Sequence, residues 1–398
     1  MHFQESEFAR RLQPSETLAV TALVAEMRKH GKAVIDLGAG EPDFSTPEHI
    51  CAAGIAAIQS GKTKYTPNTG TTALREAIAK KIAHETGAQY DAKQIVVSNG
   101  AKQAIHNAVL ALCNPGDEVI VPAPYWVSYP EQVKMAAAVP RFIVGAESNG
   151  FKITAEQLAQ AVTPKTKLVI LNNPGNPTGA VYTTEELQAI AAAVSRQGFL
   201  LSDEIYLKLV YDDLQTASMA SFPALYDRLL LVNGFSKAYA MTGWRLGYIA
   251  APLPIAQAMA KIQSHTTSNP CSISQEAGLA AILGEETELL EMRAQFEQRR
   301  NFVCQKLAQM PGVSLRRPGG AFYVLFNVSA VLGKMWKEKP IASPSALCKM
   351  LIEHAGVALV SGEAFGAPQH MRLSYATSMK NLEAAMVRLA LAFKEICA

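Results

Sequence analysis

A chain of 398 residues exceeds one ordinary domain and predicts two or three units, or one large α/β unit with a smaller companion. Its 49% hydrophobic and 18% charged residues exclude a disordered chain, and a net charge of +3, from 37 basic and 34 acidic side chains, leaves no basic footprint for nucleic acid. No apolar run approaches the ~20 residues of a membrane span. The polar start, MHFQESEFARRLQPSE, lacks a signal-peptide core. The six cysteines (Cys51, Cys113, Cys271, Cys304, Cys348 and Cys397) form no C-x-x-C pair. Neither a zinc site nor a disulfide framework is expected, and the setting is read as reducing and cytoplasmic.

Residues 1–45 are read as an N-terminal arm and part of a small domain. Residues 46–295 then form the large domain, and residues 296–398 the rest of the small one. Through the large domain, short runs read as buried strands: Ile95–Ser98, Glu118–Val121, Lys167–Leu171, Phe199–Ser202, Leu229–Val232 and Gly247–Ala250. They are apolar at nearly every residue, as strands covered on both faces must be. Helical patterns lie between them, such as Lys102–Leu112 and Thr184–Ser195. In the second, Thr184 is the expected N-cap, followed by Glu185 and Glu186, which suit the positive end of a helix dipole. This alternation predicts an α/β fold with a mostly parallel mixed sheet and helices on both faces. From about Glu285 a charged helical pattern through Arg300 predicts one long linking helix. A second set follows: a strand at Ala321–Phe326, a helix at Pro344–Gly356, strands at Val357–Val360 and His370–Ser374, and a closing helix from Lys380.

Two glycine-rich stretches lead nowhere. Gly38-Ala39-Gly40 opens like a dinucleotide fingerprint, but Asp43 stands where the third glycine belongs and Pro42 would break the required helix. Gly61-Lys62-Thr63 ends like a P-loop, but Ala56 replaces its first glycine, so Gly61 reads as a helix C-cap.

Four other segments fall at strand ends or in the loops after them, where open α/β sheets place ligands. They are Asn172–Gly179, Ser202–Tyr206, Gly234–Lys237 with Thr242–Arg245, and Met371–Ser374. An acid ending a strand, a lysine after another and an arginine eight residues beyond it fit the needs of pyridoxal 5'-phosphate. A lysine amine condenses with its aldehyde. A carboxylate keeps its ring nitrogen protonated, so that the ring accepts electrons. An arginine and backbone N–H groups hold its phosphate.

On these segments the chain resembles a fold-type I, class I pyridoxal-phosphate aminotransferase, of the bacterial subgroup containing aspartate and aspartate/prephenate aminotransferases. The likeness also runs through Pro14–Thr17, Gly40–Phe44, Pro124–Pro130 and Arg372–Ala376, and is most specific at Ser236–Arg245. The resemblance implies that Lys237 carries the cofactor and moves the substrate proton, that Asp203 pairs with the ring nitrogen, and that Tyr206 and Asn176 flank the ring oxygen. It implies that Trp126 stacks on the ring, and that Gly100, Ala101, Lys102, Ser236 and Arg245 surround the phosphate. Tyr65 would reach the phosphate of a neighbouring subunit, which makes a homodimer with shared sites the expected assembly. Two departures stand out. Gly234 replaces a phosphate-binding serine of many relatives, and Ala101 replaces a glycine, which requires a negative φ.

For the substrate, Arg372 matches the position that grips the α-carboxylate, where a planar guanidinium suits a bidentate partner, and Gly40 lines the same pocket. Trp126 and Asn176 also face the substrate. In this subgroup Lys102 recognises the distal carboxylate of aspartate, glutamate and their keto acids. A cation opening a helix opposes the dipole unless an anion sits there. Thr17 and Gln13 resemble residues that close over the substrate, and Gln13 is compatible with prephenate. The expected activity is transfer of the amino group from L-aspartate to 2-oxoglutarate, with prephenate a further candidate acceptor. An aromatic, alanine or kynurenine aminotransferase, or a β-lyase, remains the alternative. A non-catalytic regulatory module is a third reading, disfavoured by the intact Asp203, Lys237 and Arg372. No metal, nucleic acid or membrane partner is expected.

Overall fold

The computed structural model describes residues 4–194 and 198–398. After β1 (Ile35–Asp36), seven strands build the central sheet: β2 (Ile95–Ser98), β3 (Glu118–Ala123), β4 (Val139–Val144), β5 (Thr166–Asn172), β6 (Phe199–Asp203), β7 (Leu229–Gly234) and β8 (Gly247–Ala250). Their order is β2-β8-β7-β6-β5-β3-β4. All neighbours run parallel except β8, which is antiparallel to both β2 and β7.

The sheet explains why its strands are apolar throughout. Ile95, Val97, Val169, Leu171, Leu229 and Leu231 pack on one face, with helices Glu48–Gln59, Thr72–Thr86, Thr184–Val194 and Ser272–Leu283. Their neighbours Val96, Leu168, Ile170, Leu230 and Val232 pack on the other, with helices Ala101–Leu112, Ser128–Met135 and Leu253–Thr266. Side chains alternate along a strand, so a sheet covered twice needs apolar residues at both parities.

The sequence reading missed β4. It is an edge strand with Val139, Phe142 and Val144 exposed, and Pro140 and Arg141 interrupt its apolar pattern. Proline is tolerated there because an edge strand need not donate on its free side. The expected cap of the Thr184 helix also shifts by one residue. Thr183 and Glu186 exchange backbone-to-side-chain hydrogen bonds of 2.8 and 3.3 Å, so Thr183 is the cap. That helix is described to Val194, and its expected last residue, Ser195, lies outside the described residues.

Helix Thr287–Leu307 links the two halves. Leu289 packs in the large-sheet core, and Met292, Phe296, Val303 and Leu307 pack in the second core. The expected 295/296 boundary falls inside this helix. The second core surrounds a four-stranded antiparallel sheet formed by β9 (Ser314–Leu315), β10 (Tyr323–Asn327), β14 (Val360–Ser361) and β15 (His370–Ser374). A small hairpin, β11 (Met335–Trp336) and β12 (Lys339–Pro340), stands beside it. The strand expected at Val357–Val360 serves two sheets. Its first half, β13 (Val357–Ala358), pairs with β1 from the N-terminal region, and its last residue, Val360, opens β14. The helix expected over Pro344–Gly356 is α-helical to Met350 and continues as a π-helical turn over Leu351–Ala355. The closing helix runs over Met379–Cys397. Among the described residues no helix is long and apolar enough to cross a membrane.

Candidate active site

β5, β6 and β7 end together, at Asn172, Asp203 and Gly234. Asn172 stands opposite Asp203 in register and donates from Nδ2 to the Asp203 carbonyl at 2.8 Å. Its Oδ1 accepts the Asn176 N–H at 2.8 Å. Asp203 is 4% exposed. Tyr129 Oη donates to its Oδ2 at 2.7 Å, and the Ile205 N–H donates to its Oδ1 at 3.2 Å. Burial pushes this carboxyl up to about 6, against the pull of those two donors and of the Lys237 charge. Such a carboxylate is well matched to a buried cationic partner.

Tyr129 falls within the segment Pro124–Pro130, and nothing in the sequence assigns it a role. It lies one helical turn beyond Trp126 and packs edge-on against that ring at 5.2 Å. A buried tyrosine in an apolar turn reads as core, and only the fold brings it to Asp203. Tyr206 Oη pairs with Tyr323 Oη at 2.9 Å, and Tyr323 too was missed.

Gly100 caps helix Ala101–Leu112 with φ 82°. A Cβ at Gly100 would meet Arg245 Nη2 at 2.7 Å, so the guanidinium lies directly against the helix N-terminus. Ala101 is the first helical residue and its φ is negative, as its departure from glycine requires. Gly234 faces Gly247 across β7 and β8, where a Cβ would come 3.0 Å from Gly247 Cα. Ser236 is buried near the same strand ends. Lys102 extends over the Trp126 ring, with Nζ 5.0 Å from the centroid. Burial lowers its pKa, and the Arg245 charge adds to the effect. Lys102, His106, Glu131, Gln132 and Arg245 line a cavity of about 510 Å³.

Lys237 follows β7 and is half-buried. Its ammonium donates to the Gly40 carbonyl and stands 5.6 Å from the Phe322 ring centroid. Burial lowers its pKa to about 8; Glu41 and Asp203 oppose that shift, while Arg245 and Arg372 reinforce it. Arg372 arrives from β15 and is 1% exposed. Its Nη1 donates to Asn176 Oδ1 at 3.0 Å and its Nη2 to the Gly38 carbonyl at 2.8 Å, while its buried Nε has no partner. The Tyr323 and Phe365 rings lie 4.5 and 4.7 Å from the guanidinium carbon. Gly40 sits close by, where a Cβ would meet Tyr323 Oη at 3.2 Å.

Two expected residues are not drawn into this cluster. Thr17 pairs with Ser15 Oγ at 3.0 Å on the helix Glu16–Lys29. Tyr65 is 92% exposed. The Gln13 N–H is held by Glu131 Oε2 at 3.0 Å, at the wall of the cavity.

Among the described residues, Lys102, Arg245 and Arg372 form no ion pair with a carboxylate. Arg245 and Arg372 act on the Lys237 amine, Lys102 stands close to Arg245, and the fully buried Arg372 keeps an unpartnered Nε, so the group is suited to bind anions. A phosphate and two carboxylates would supply them. The residues present therefore fit pyridoxal 5'-phosphate together with a dicarboxylic substrate.

Comparison with known proteins agrees. The family model described as aminotransferase class I and II matches residues 32–389. An aspartate aminotransferase of Geobacillus stearothermophilus is 48% identical over 95% of this chain and 96% of its own. An aspartate/prephenate aminotransferase of Cereibacter sphaeroides is 46% identical over 96% and 97%. A solved structure of the Thermus thermophilus aspartate aminotransferase with maleate superposes with a TM-score of 0.92 at 40% identity, covering 98% of this chain and all of that one.

Proposed function

The chain belongs to the class I and II aminotransferases, and we propose that it transfers the amino group of L-aspartate to 2-oxoglutarate, giving oxaloacetate and L-glutamate. Its substrates are amino acids and 2-oxo acids, and its cofactor is pyridoxal 5'-phosphate, as throughout this family. Bound in the site, the cofactor supplies an electron sink and carries the amino group between the two halves of the reaction. Lys237 would hold it covalently, and Asp203 would keep its ring nitrogen protonated. Arg245 and the N-terminus of helix Ala101–Leu112 would hold its phosphate, with Ser236 beside them. Trp126 would cover the ring, and Asn176 and Tyr206 would flank the ring oxygen.

Lys237 is the group that moves the proton at the substrate Cα. A lysine with a pKa of about 8 is a competent base near neutral pH, where an ordinary lysine is not. Arg372 orients the α-carboxylate with its planar fork, and Asn176 fixes the guanidinium from below. Lys102 faces the distal carboxylate. The observation that carries this reading is that Lys102, Arg245 and Arg372 have no carboxylate partners among the described residues, with Arg245 and Arg372 near enough to Lys237 to lower its pKa. The Thermus relative with maleate, itself a dicarboxylate, and the aspartate-specific names of the relatives support the choice of substrate. Prephenate, a bulkier dicarboxylate, is a further candidate acceptor, and one relative bears that substrate in its name.

The test is a panel of amino donors against 2-oxoglutarate, with prephenate as a second acceptor. Aspartate and glutamate should give the highest kcat/KM. Higher values for alanine, kynurenine or aromatic donors would replace this reading with the alternative.

The same reading extends to assembly. The exposed Tyr65 would complete the site of a second copy, making a homodimer. Tyr65→Ala and Lys237→Ala proteins should then regain activity when mixed, and a fully active monomer in dilute solution contradicts it. Residues 1–45 are proposed as an arm and part of the small domain, 46–295 as the large domain and 296–398 as the rest of the small domain; limited proteolysis should cut first in the arm, and early cleavage within helix Thr287–Leu307, which carries the 295/296 boundary, would contradict this division. Six free cysteines suit a reducing compartment such as the cytoplasm; cell fractionation tests this, and recovery outside the cytosolic fraction would contradict it.

A further inference from the structure

Residues 147–149 form a short turn after β4, at the edge of the large sheet. Three side chains of the small sheet reach across to this turn. Arg316 Nη2 donates to the Ser148 carbonyl. Asn327 Nδ2 donates to Glu147 Oε2 at 3.1 Å, and His370 Nε2 lies 3.2 Å from the same oxygen. Below them Phe151 packs edge-on against the His370 ring at 5.4 Å and shares a small apolar cluster with Leu325 and Ala367. The large-sheet side thus supplies Glu147, Ser148 and Phe151, and the small-sheet side supplies Arg316, Asn327, His370, Leu325 and Ala367.

His370 opens β15, and Arg372 stands two residues further along that strand. Residues i and i+2 share a face, at a separation of roughly 6.5–7 Å. The strand is paired on both sides, with β10 and β14. It transmits displacement as a rigid rod rather than absorbing it. Arg372 must meet Asn176, which belongs to the large sheet. The register between the sheets therefore sets where the guanidinium fork points, and a bidentate grip on a carboxylate weakens when the fork is displaced.

We infer that Glu147, with His370 and Asn327, is a latch between the two sheets that positions Arg372 for the substrate α-carboxylate. Glu147 touches neither substrate nor cofactor; it is a positioning residue. The inference rests on the aminotransferase reading but not on the choice of aspartate, because every amino donor carries an α-carboxylate.

That independence shapes the test. Glu147→Ala removes the shared acceptor, and Glu147→Gln keeps an amide oxygen able to accept from Asn327 and His370. The side chain of Glu147 is 34% exposed on a surface turn, so both variants should fold, and melting curves check this. Glu147→Ala should raise KM about five- to ten-fold, the scale of one ordinary net hydrogen bond, because the latch reaches the substrate only through Arg372. The rise should be equal for dicarboxylic and monocarboxylic donors, with kcat within about two-fold and cofactor affinity unchanged. Glu147→Gln should recover most of the loss. In a double-mutant cycle with His370→Ala, the second substitution should add little to the first. An unchanged KM in Glu147→Ala, additive losses in the cycle, or a loss confined to dicarboxylic donors would overturn the latch. If the best donor proves not to be aspartate, the same measurements are made with that donor and still decide.

Discussion

Asp203 shows how a single side chain is set for its task. Its folded pKa is raised, from an ordinary carboxyl value to about 6, because burial opposes its charge. A raised acid stabilises the fold only while protonated. In the cofactor-free protein its contribution is present below pH 4 and is lost as pH rises through about 6, a change of roughly 3 kcal/mol. Tyr129 works against that shift by donating to Oδ2. Removing the hydroxyl in Tyr129→Phe should raise the carboxyl further and weaken its hold on a protonated ring. We expect kcat to fall about ten-fold, the acid limb of the kcat–pH profile to move to higher pH, and KM to change little. An acid limb left in place would show that Tyr129 only fills space. Asp203 was legible in the sequence because it ends a strand inside a specific motif. Tyr129 was not, because its partner lies 74 residues away and no local pattern distinguishes it from a core tyrosine.

The elements were legible where burial is two-sided. Six strands of the large sheet announce themselves because both faces are apolar, and β4 stayed hidden because an edge strand with a proline and an arginine has no such pattern. The division of Val357–Val360 between two sheets was equally invisible, since either half is as apolar as the other. The antiparallel β8 shows what an element does for the site. It pairs Gly247 with Gly234 and with Ser98, beside the start of helix Ala101–Leu112. A Cβ on Gly247 would come 2.3 Å from Ala101 N, so the absent side chain lets the helix N-terminus approach the strand. Gly247→Ala should therefore displace the start of helix Ala101–Leu112. Overpacking of this kind costs about 1–3 kcal/mol of stability. Titration of the purified apoprotein should also show cofactor affinity at least ten-fold weaker, and unchanged affinity would mean that Arg245 alone holds the phosphate.

At the scale of the whole molecule, the site exists only where two sheets meet. Arg372 bonds the Gly38 carbonyl 334 residues away in the chain, and Asn176 joins it from the large sheet. Periodicity and composition carry no record of such pairings; the resemblance to a family is what pointed to Arg372. The resulting cluster holds Lys102, Arg245 and Arg372 without carboxylate partners, and the dicarboxylate reading depends on assigning Lys102 to the substrate rather than to the phosphate. The most direct measurement is kcat/KM for aspartate, 2-oxoglutarate and alanine in Lys102→Ala at saturating cofactor. A charge-assisted contact of roughly 1.5–3 kcal/mol corresponds to about a ten- to hundred-fold effect. The values for aspartate and 2-oxoglutarate should fall by that factor while alanine changes less than about three-fold, whereas an equal loss for all three substrates would contradict the assignment of Lys102 to the distal carboxylate.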